Sequence, residues 1–316
     1  VVPAVWAVLE AWAAVLEWEW VMDSKEVNIF RIADLDIRIV FKDSHINNMR
    51  LLPSLEPFRT ENVSDGLFFN LTVDDSMQPN KEREKIRKFD TGNGDTVVYK
   101  LNNGGYQYII KDINGGDCCL LETNKDFSDC RCALNGDRWM REFGLNNALM
   151  LIFAFAGSLI NVLLVHASTV KNNGRGYAFT AKSGTGKSTH TGLWIKYIEG
   201  SELMNDDNPI VRVINGKSYI YGSPWSGKTP CYRQIKAPLG AMTLIDRATR
   251  NSIERLGPIE AFVTLLPSCS SMKWDGEIYN AICDTVTKVI ETTPIYVLHC
   301  LPDKEAAIIC HEAISK

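Results

Sequence analysis

The sequence has no surplus of positive charge. Lys and Arg number 34 against 38 acidic residues, a formal net charge of −4. That excludes a molecule-wide field drawing the chain to nucleic acid or anionic lipid and leaves open only a local basic cleft. An even cysteine framework is also absent. The nine cysteines are odd in number, and 316 residues bury enough surface to dispense with disulfide staples. Both features point to a reducing, cytoplasmic setting, and the length suggests two domains. Cys118, Cys119, Cys130 and Cys132 lie close in sequence. Adjacent cysteines are awkward around one tetrahedral zinc and no histidine flanks them, so buried or hairpin thiols are the expected reading.

The features of a secretory signal are scarce in the first residues given, VVPAVWAVLEAWAAVLEWEWV, which have no basic n-region and no small-residue cleavage signal. Residues 1–21 hold four of the eight tryptophans and three glutamates, with Glu10 and Glu17 on one helical face. They differ so much from the residues after Met22 that an appended or misassigned helix-like segment is expected, and no function is drawn from it. An uninterrupted apolar span is missing too. EFGLNNALMLIFAFAGSLINVLLV, at 142–165, approaches the roughly 20 apolar residues of a membrane helix. It is broken by Asn146, Asn147, Gly157, Ser158 and Asn161, which predicts a buried helix feeding a strand.

Short apolar runs separated by turn compositions fill residues 22–140: IADLDIRIVF, DTVVYKL, YQYIIK and CCLLE, between stretches such as TGNGD and NGG. They predict an antiparallel, β-rich N-terminal domain. It shows no paired carboxylates, histidine cluster or nucleotide fingerprint, and His45 reads as a surface residue. From 141 to 316 strand and helix patterns alternate, which predicts an α/β domain.

Within that second part, RGYAFTA reads as a buried strand, SGTG as the turn and KSTHTGLWIKYIEG as a helix with Leu193, Trp194, Tyr197 and Ile198 on one face. Strand, glycine turn and helix are what a phosphate-binding loop requires, because successive amides and the helix N-terminus point at the anion. Ser183, Gly184, Thr185, Gly186, Lys187, Ser188, Thr189 and His190 are the candidate nucleotide contacts. Lys187 would reach the β and γ phosphates and Ser188 would hold Mg²⁺. The loop's first position carries Ala181 in place of glycine, tolerable if that residue still belongs to the strand end. Asp206 and Asp207, 19 and 20 residues beyond Lys187, supply two adjacent carboxylates able to divide the work of metal ligand and base. Asp207 joins Ser188 as a candidate metal ligand, with the division of roles left open.

HASTV, AKSGTGKSTHTGLW, NDDNPIV and GSPWSGKTP, in that order, resemble the kinase domain of HPr kinase/phosphorylase, a P-loop fold also similar to that of ATP-dependent phosphoenolpyruvate carboxykinases. The resemblance covers about 160 to 310. It implies an α/β kinase domain that uses ATP and Mg²⁺ to phosphorylate a serine-type hydroxyl on a peptide, protein or small molecule. It also implies a catalytic place for His166, Lys187, Asp206 and Asp207. Ala167 stands where the regulatory kinases carry glycine, and their later glycine-rich signature is absent, as is the arginine and metal-ligand set of a decarboxylating carboxykinase. An ATPase or a nucleotide sensor remains the alternative, and a carboxykinase-like enzyme a more distant one. Between 221 and 240, turns rich in Gly and Pro frame Trp225, Lys228 and Arg233. They predict a mobile substrate loop in which Gly222 and Gly227 move, Trp225 packs the closed form and Lys228 meets the transferred phosphoryl group. No partners are identified in the sequence for His299 or His311, and no nucleic-acid or membrane partner is expected; a homo-oligomer is left open.

Overall fold

The computed structural model describes residues 25–63, 66–90, 93–182, 184–227 and 229–315. The segment expected to be appended, 1–21, lies outside them, as do Ser183 and Lys228. The chain is mixed α/β and built on two large sheets.

The first sheet is formed by β1 (Glu26–Ile32), β2 (Leu35–Phe41), β3 (Leu67–Val73), β4 (Arg83–Asp90), β5 (Asp95–Leu101), β6 (Tyr106–Lys111), β7 (Asp117–Thr123) and β8 (Asp129–Leu134), in the order 1-2-3-8-7-6-5-4. IADLDIRIVF is two strands rather than one, because Ala33 and Asp34 take φ of 50° and 60°. Two successive positive φ values make the tight hairpin turn whose twist matches its strands. The sheet is not wholly antiparallel: β3 runs parallel to both β2 and β8. The four clustered cysteines are buried on the β7–β8 hairpin, and burial pushes the Cys130 thiol well above its ordinary value.

Helix α1 (Arg138–Ser158) is capped by Asp137, whose side chain accepts from the Met140 amide. Its buried residues, among them Leu149, Ile152 and Phe153, join one continuous apolar cluster that runs from Phe30 and Phe69 of the first sheet to Ile210 and Met242 of the second. No helix among the described residues is long and apolar enough to cross a membrane.

The second sheet comprises β9 (Val162–Leu164), β10 (Ala167–Asn172), β11 (Arg175–Thr180), β12 (Glu202–Asp207), β13 (Ile210–Ile214), β14 (Lys217–Tyr221), β15 (Lys236–Arg247), β16 (Ser252–Arg255) and β17 (Ile295–Cys300). Its main path is 12-10-11-15-14-13-9, with β17 beside the second half of β15 and β16 beyond it. Successive residues of a strand face opposite ways, and β11 shows it. Ala178 enters the cluster shared with α1, while Tyr177 and Phe179 enter a separate one with Trp194 and Cys310. That second cluster is closed by α2 (Lys187–Tyr197) and α4 (Lys304–Ile314), whereas α3 (Gly276–Thr292) packs on the opposite side through Ile278, Ile282 and Val286. Asp34, in the β1–β2 turn, accepts from the Tyr221 hydroxyl and the Lys236 ammonium at 2.8 Å each, tying the first sheet to the second.

Candidate active site

Three strand ends meet at one point, and sheet register is the reason. Ala167, at the start of β10, pairs with Thr180 at the end of β11 and with Asp207 at the end of β12. His166 precedes β10, the glycine turn comes after β11, and the acidic pair ends β12. Residues scattered over some 40 positions of sequence thus converge.

The turn has the shape the sequence predicts. Ala181 is buried with the strand end in the second core cluster, so its methyl occupies packing space rather than the turn. Gly184 and Gly186 take φ of 75° and 127°, and Gly186 caps α2, conformations that cost a side-chain-bearing residue free energy. A cation that sequence reasoning missed braces the turn: Arg247 donates through Nη2 to the Gly184 carbonyl at 2.6 Å and through Nε to the Thr185 carbonyl at 2.9 Å. Nothing local marks this arginine. Parallel pairing of β11 with β15, Thr180 opposite Leu244, places it beside the departing loop.

Two chains of side-chain contacts leave the turn. In the first, the Lys187 Nζ lies 2.6 Å from His166 Nε2, and His166 Nδ1 lies 3.0 Å from Asp207 Oδ1. A neutral imidazole carrying its proton on Nδ1 satisfies both, accepting from the ammonium and donating to the carboxylate. In the second, Ser188 Oγ donates to Asp206 Oδ1 at 2.7 Å. Asp206 is buried and its Oδ2 has no hydrogen-bond partner. Burial would raise the Asp207 carboxyl, but the hydrogen bond from His166, the charge of Lys187 and the Asn208 amide together hold it below its ordinary value. Burial lowers the Lys187 ammonium, against the pull of Asp207 and Asp206.

The turn carrying the two aspartates is held by Asn205, fully buried, whose side-chain amide donates to the Trp225 carbonyl at 3.0 Å and accepts from the Asn208 amide at 2.9 Å. Asp207 itself adopts φ 155°, an uncommon backbone for a residue with a side chain and of the kind found at functional positions.

Several expectations do not survive. His190 is buried, its ring edge against Phe179 and its Nε2 accepting from the Trp194 indole at 3.1 Å; it is a core residue with no surface for a nucleotide. Trp225 is already buried against Phe153 of α1 and does not wait for a closing loop. The glycines of that segment serve close approach rather than movement. A Cβ at Gly222 would lie 2.2 Å from the Arg233 carbonyl oxygen, and one at Gly227 would lie 2.7 Å from that of Asp206. Arg233 pairs with Glu202 at 2.6 Å, away from the acidic pair. Of the two aspartates, Asp206 rather than Asp207 is the one in contact with Ser188. His299 does have partners, Asp246 at 2.9 Å and Glu254 at 3.7 Å, and His311 packs its ring against Trp194.

Burial lowers the His190 imidazole to about 4. The unfolded chain takes up this proton near pH 6.5, so the folded state keeps its full stability above that value and loses it as pH falls toward 4. Between pH 6.5 and 5 the loss should reach about 1.5 kcal/mol. Urea denaturation of wild type and His190→Leu at both pH values measures it: the difference between the two proteins should narrow by that amount at pH 5, and a constant difference would contradict the assignment.

No family model matches the chain, and no curated protein matches it. Among solved structures it is similar to the HPr(Ser) kinase/phosphatase from Coxiella burnetii, at 9% identity and a TM-score of 0.29, covering 48% of this chain and 93% of that one. So distant a likeness leaves the reading of the site to its own geometry.

Proposed function

We propose that the chain is a Mg²⁺-dependent phosphotransferase that moves the γ-phosphoryl group of ATP to a hydroxyl. The observation that carries this reading is the placement of Lys187–His166–Asp207 and Ser188–Asp206 around one glycine turn at a helix N-terminus. The residues fit the metal: a hydroxyl and a carboxylate supply hard oxygen donors, and one buried carboxylate oxygen lacks a partner. No group of three or more His, Cys, Asp or Glu among the described residues could hold a metal alone. That suits Mg²⁺, which keeps waters and shares its shell with nucleotide phosphates. When bound, the cation would neutralise charge developing on the phosphates.

The work left to the chain divides between the two aspartates. Asp206, with Ser188, faces the metal position. Asp207 takes the proton of the acceptor O–H as that oxygen forms its bond to the γ-phosphorus, and the electron pair of the bond to the bridging oxygen leaves with the diphosphate. His166 orients the Asp207 carboxylate, Lys187 stands where its charge meets the β and γ phosphates, and Arg247 keeps the turn in shape. On this reading the part from 141 onward carries the transfer, and the β-rich part at 22–140 helps wall the acceptor side.

The product decides the matter. Incubation with γ-³²P-labelled Mg-ATP and hydroxyl-bearing acceptors should give label on an acceptor. Free phosphate alone would make the chain an ATPase, and tight nucleotide binding without turnover would make it a sensor.

A further inference from the structure

Beside Asp207 lies a cleft of about 510 Å³, within the range of roughly 300–1,000 Å³ that holds small molecules. One wall is α1, where Trp139, Glu142, Phe143 and Asn146 fall three or four residues apart and share a face. The opposite wall is Asp207 with the 224–226 turn, and short turns around 51–54 close one end. Trp139 is 53% exposed and its ring stacks on Phe143 at 5.7 Å and 18°, so the indole is backed on one face and open on the other. Trp225 lines the same space, buried, with an indole N–H that has no hydrogen-bond partner.

The lining selects by charge and shape. None of the described lining residues is Lys or Arg, whereas Glu142 and Asp207 are acidic. Glu142 is paired with Arg138 and Asp207 with His166, at 3.0 Å each, so the described lining itself offers an anionic acceptor carboxylates and no cation of its own. Apart from Asp207, at the end of β12, the described lining comes from helices and connections. There is no run of strand backbone along which an extended peptide could pair. An open aromatic face in a cleft that also carries the Asn146 amide and the Glu142 carboxylate suits instead a flat ring with C–H faces and a hydroxyl edge.

We infer that this cleft is the acceptor subsite and that it takes an uncharged carbohydrate, stacked on Trp139 with one hydroxyl toward Asp207. The inference rests on the phosphotransferase reading for the fate of that hydroxyl, but not for binding itself.

Binding is measured by calorimetry on the full chain, with and without a non-hydrolysable Mg-nucleotide. The probes are glucose, maltose, glucose 6-phosphate and an uncharged, end-blocked Gly-Ser peptide. A neutral saccharide should bind saturably and more tightly than the sugar phosphate or the peptide. Trp139→Ala should weaken that binding roughly ten-fold without changing nucleotide affinity, and Trp139→Phe should retain most of it. Trp139 is half exposed, so neither change threatens the fold. Absence of saccharide binding, equal binding by Trp139→Ala, or preference for the peptide would each overturn the inference. Label transfer separates the two readings. Saccharide bound through Trp139 but never phosphorylated would sink the kinase and leave the subsite, whereas label on the peptide alone would sink the subsite and leave the kinase.

Discussion

Asp207→Asn should lower kcat for phosphoryl transfer by roughly 10³, within the range found when a positioned general base is lost, and leave the Mg²⁺ dependence unchanged. Asparagine keeps the shape and can still bond to His166, so the fold and the turn should persist, and only proton acceptance disappears. Asp206→Asn should behave otherwise. Its carboxylate bears on Ser188 at 2.7 Å and leaves one oxygen without a partner, so removing its charge should raise the Mg²⁺ concentration needed for half-maximal rate. Metal titrations of both variants at saturating nucleotide make the comparison. The reverse pattern would exchange the two roles, and wild-type behaviour in both would reduce NDDNP to a structural turn. A pH profile adds a second reading. The Asp207 carboxyl is held below its ordinary value and His166 is the chief lowering influence. Asp207 is therefore ionised above that lowered value and loses its charge as pH falls through it. His166→Phe should move the acid limb of kcat/KM to higher pH; an unmoved limb would detach His166 from the base.

Lys187→Ala should cost transfer at least about 10², the scale of an oriented charge-stabilising group removed from a reacting centre, and weaken Mg-nucleotide binding as well. Lys187 opens α2 immediately after the Gly186 cap, so its ammonium lies at the helix end that already favours anions. Its only described hydrogen bond is to His166, and burial works against its charge. The native fold gives up little when it is removed. Thermal unfolding should therefore change slightly while calorimetry with Mg-nucleotide shows the lost affinity. Unchanged affinity together with unchanged turnover would mean that the glycine turn does not hold phosphate.

The elements around the turn were legible because their signals are local. GYAFT is a run of buried strand residues, glycine permits the positive φ values of the turn after it, and Trp194 lands on the inner face of the helix at the spacing that 3.6 residues per turn dictate. The long apolar stretch at 142–165 was legible for the same reason: its polar breaks lie at helix positions compatible with a core and not with lipid. His190 misled because one side chain's direction depends on what packs beyond it. Phe179 and Trp194 sit on the inner face, and the ring belongs with them rather than with the loop. Trp225 and its glycines looked like a hinge because Gly and Pro signal turns whether or not the turn moves. Their actual constraint is a backbone approach to Arg233 and Asp206, which involves residues distant in sequence.

By itself the sequence determined that this chain holds a glycine turn between strand and helix, an acidic pair some 20 residues on, and no surplus of positive charge. Only the tertiary structure decided what these parts do to one another. Strand order is a matter of long-range hydrogen bonding that local periodicity does not encode. Here, the pairing of Ala167 with both Thr180 and Asp207 is what sets His166 between Lys187 and Asp207 and gives Asp206 to Ser188. The parallel run of β11 and β15 delivers Arg247 to the turn. Packing of α1 across both sheets opens the cleft beside Asp207, because a face left uncovered depends on what every other element has already buried.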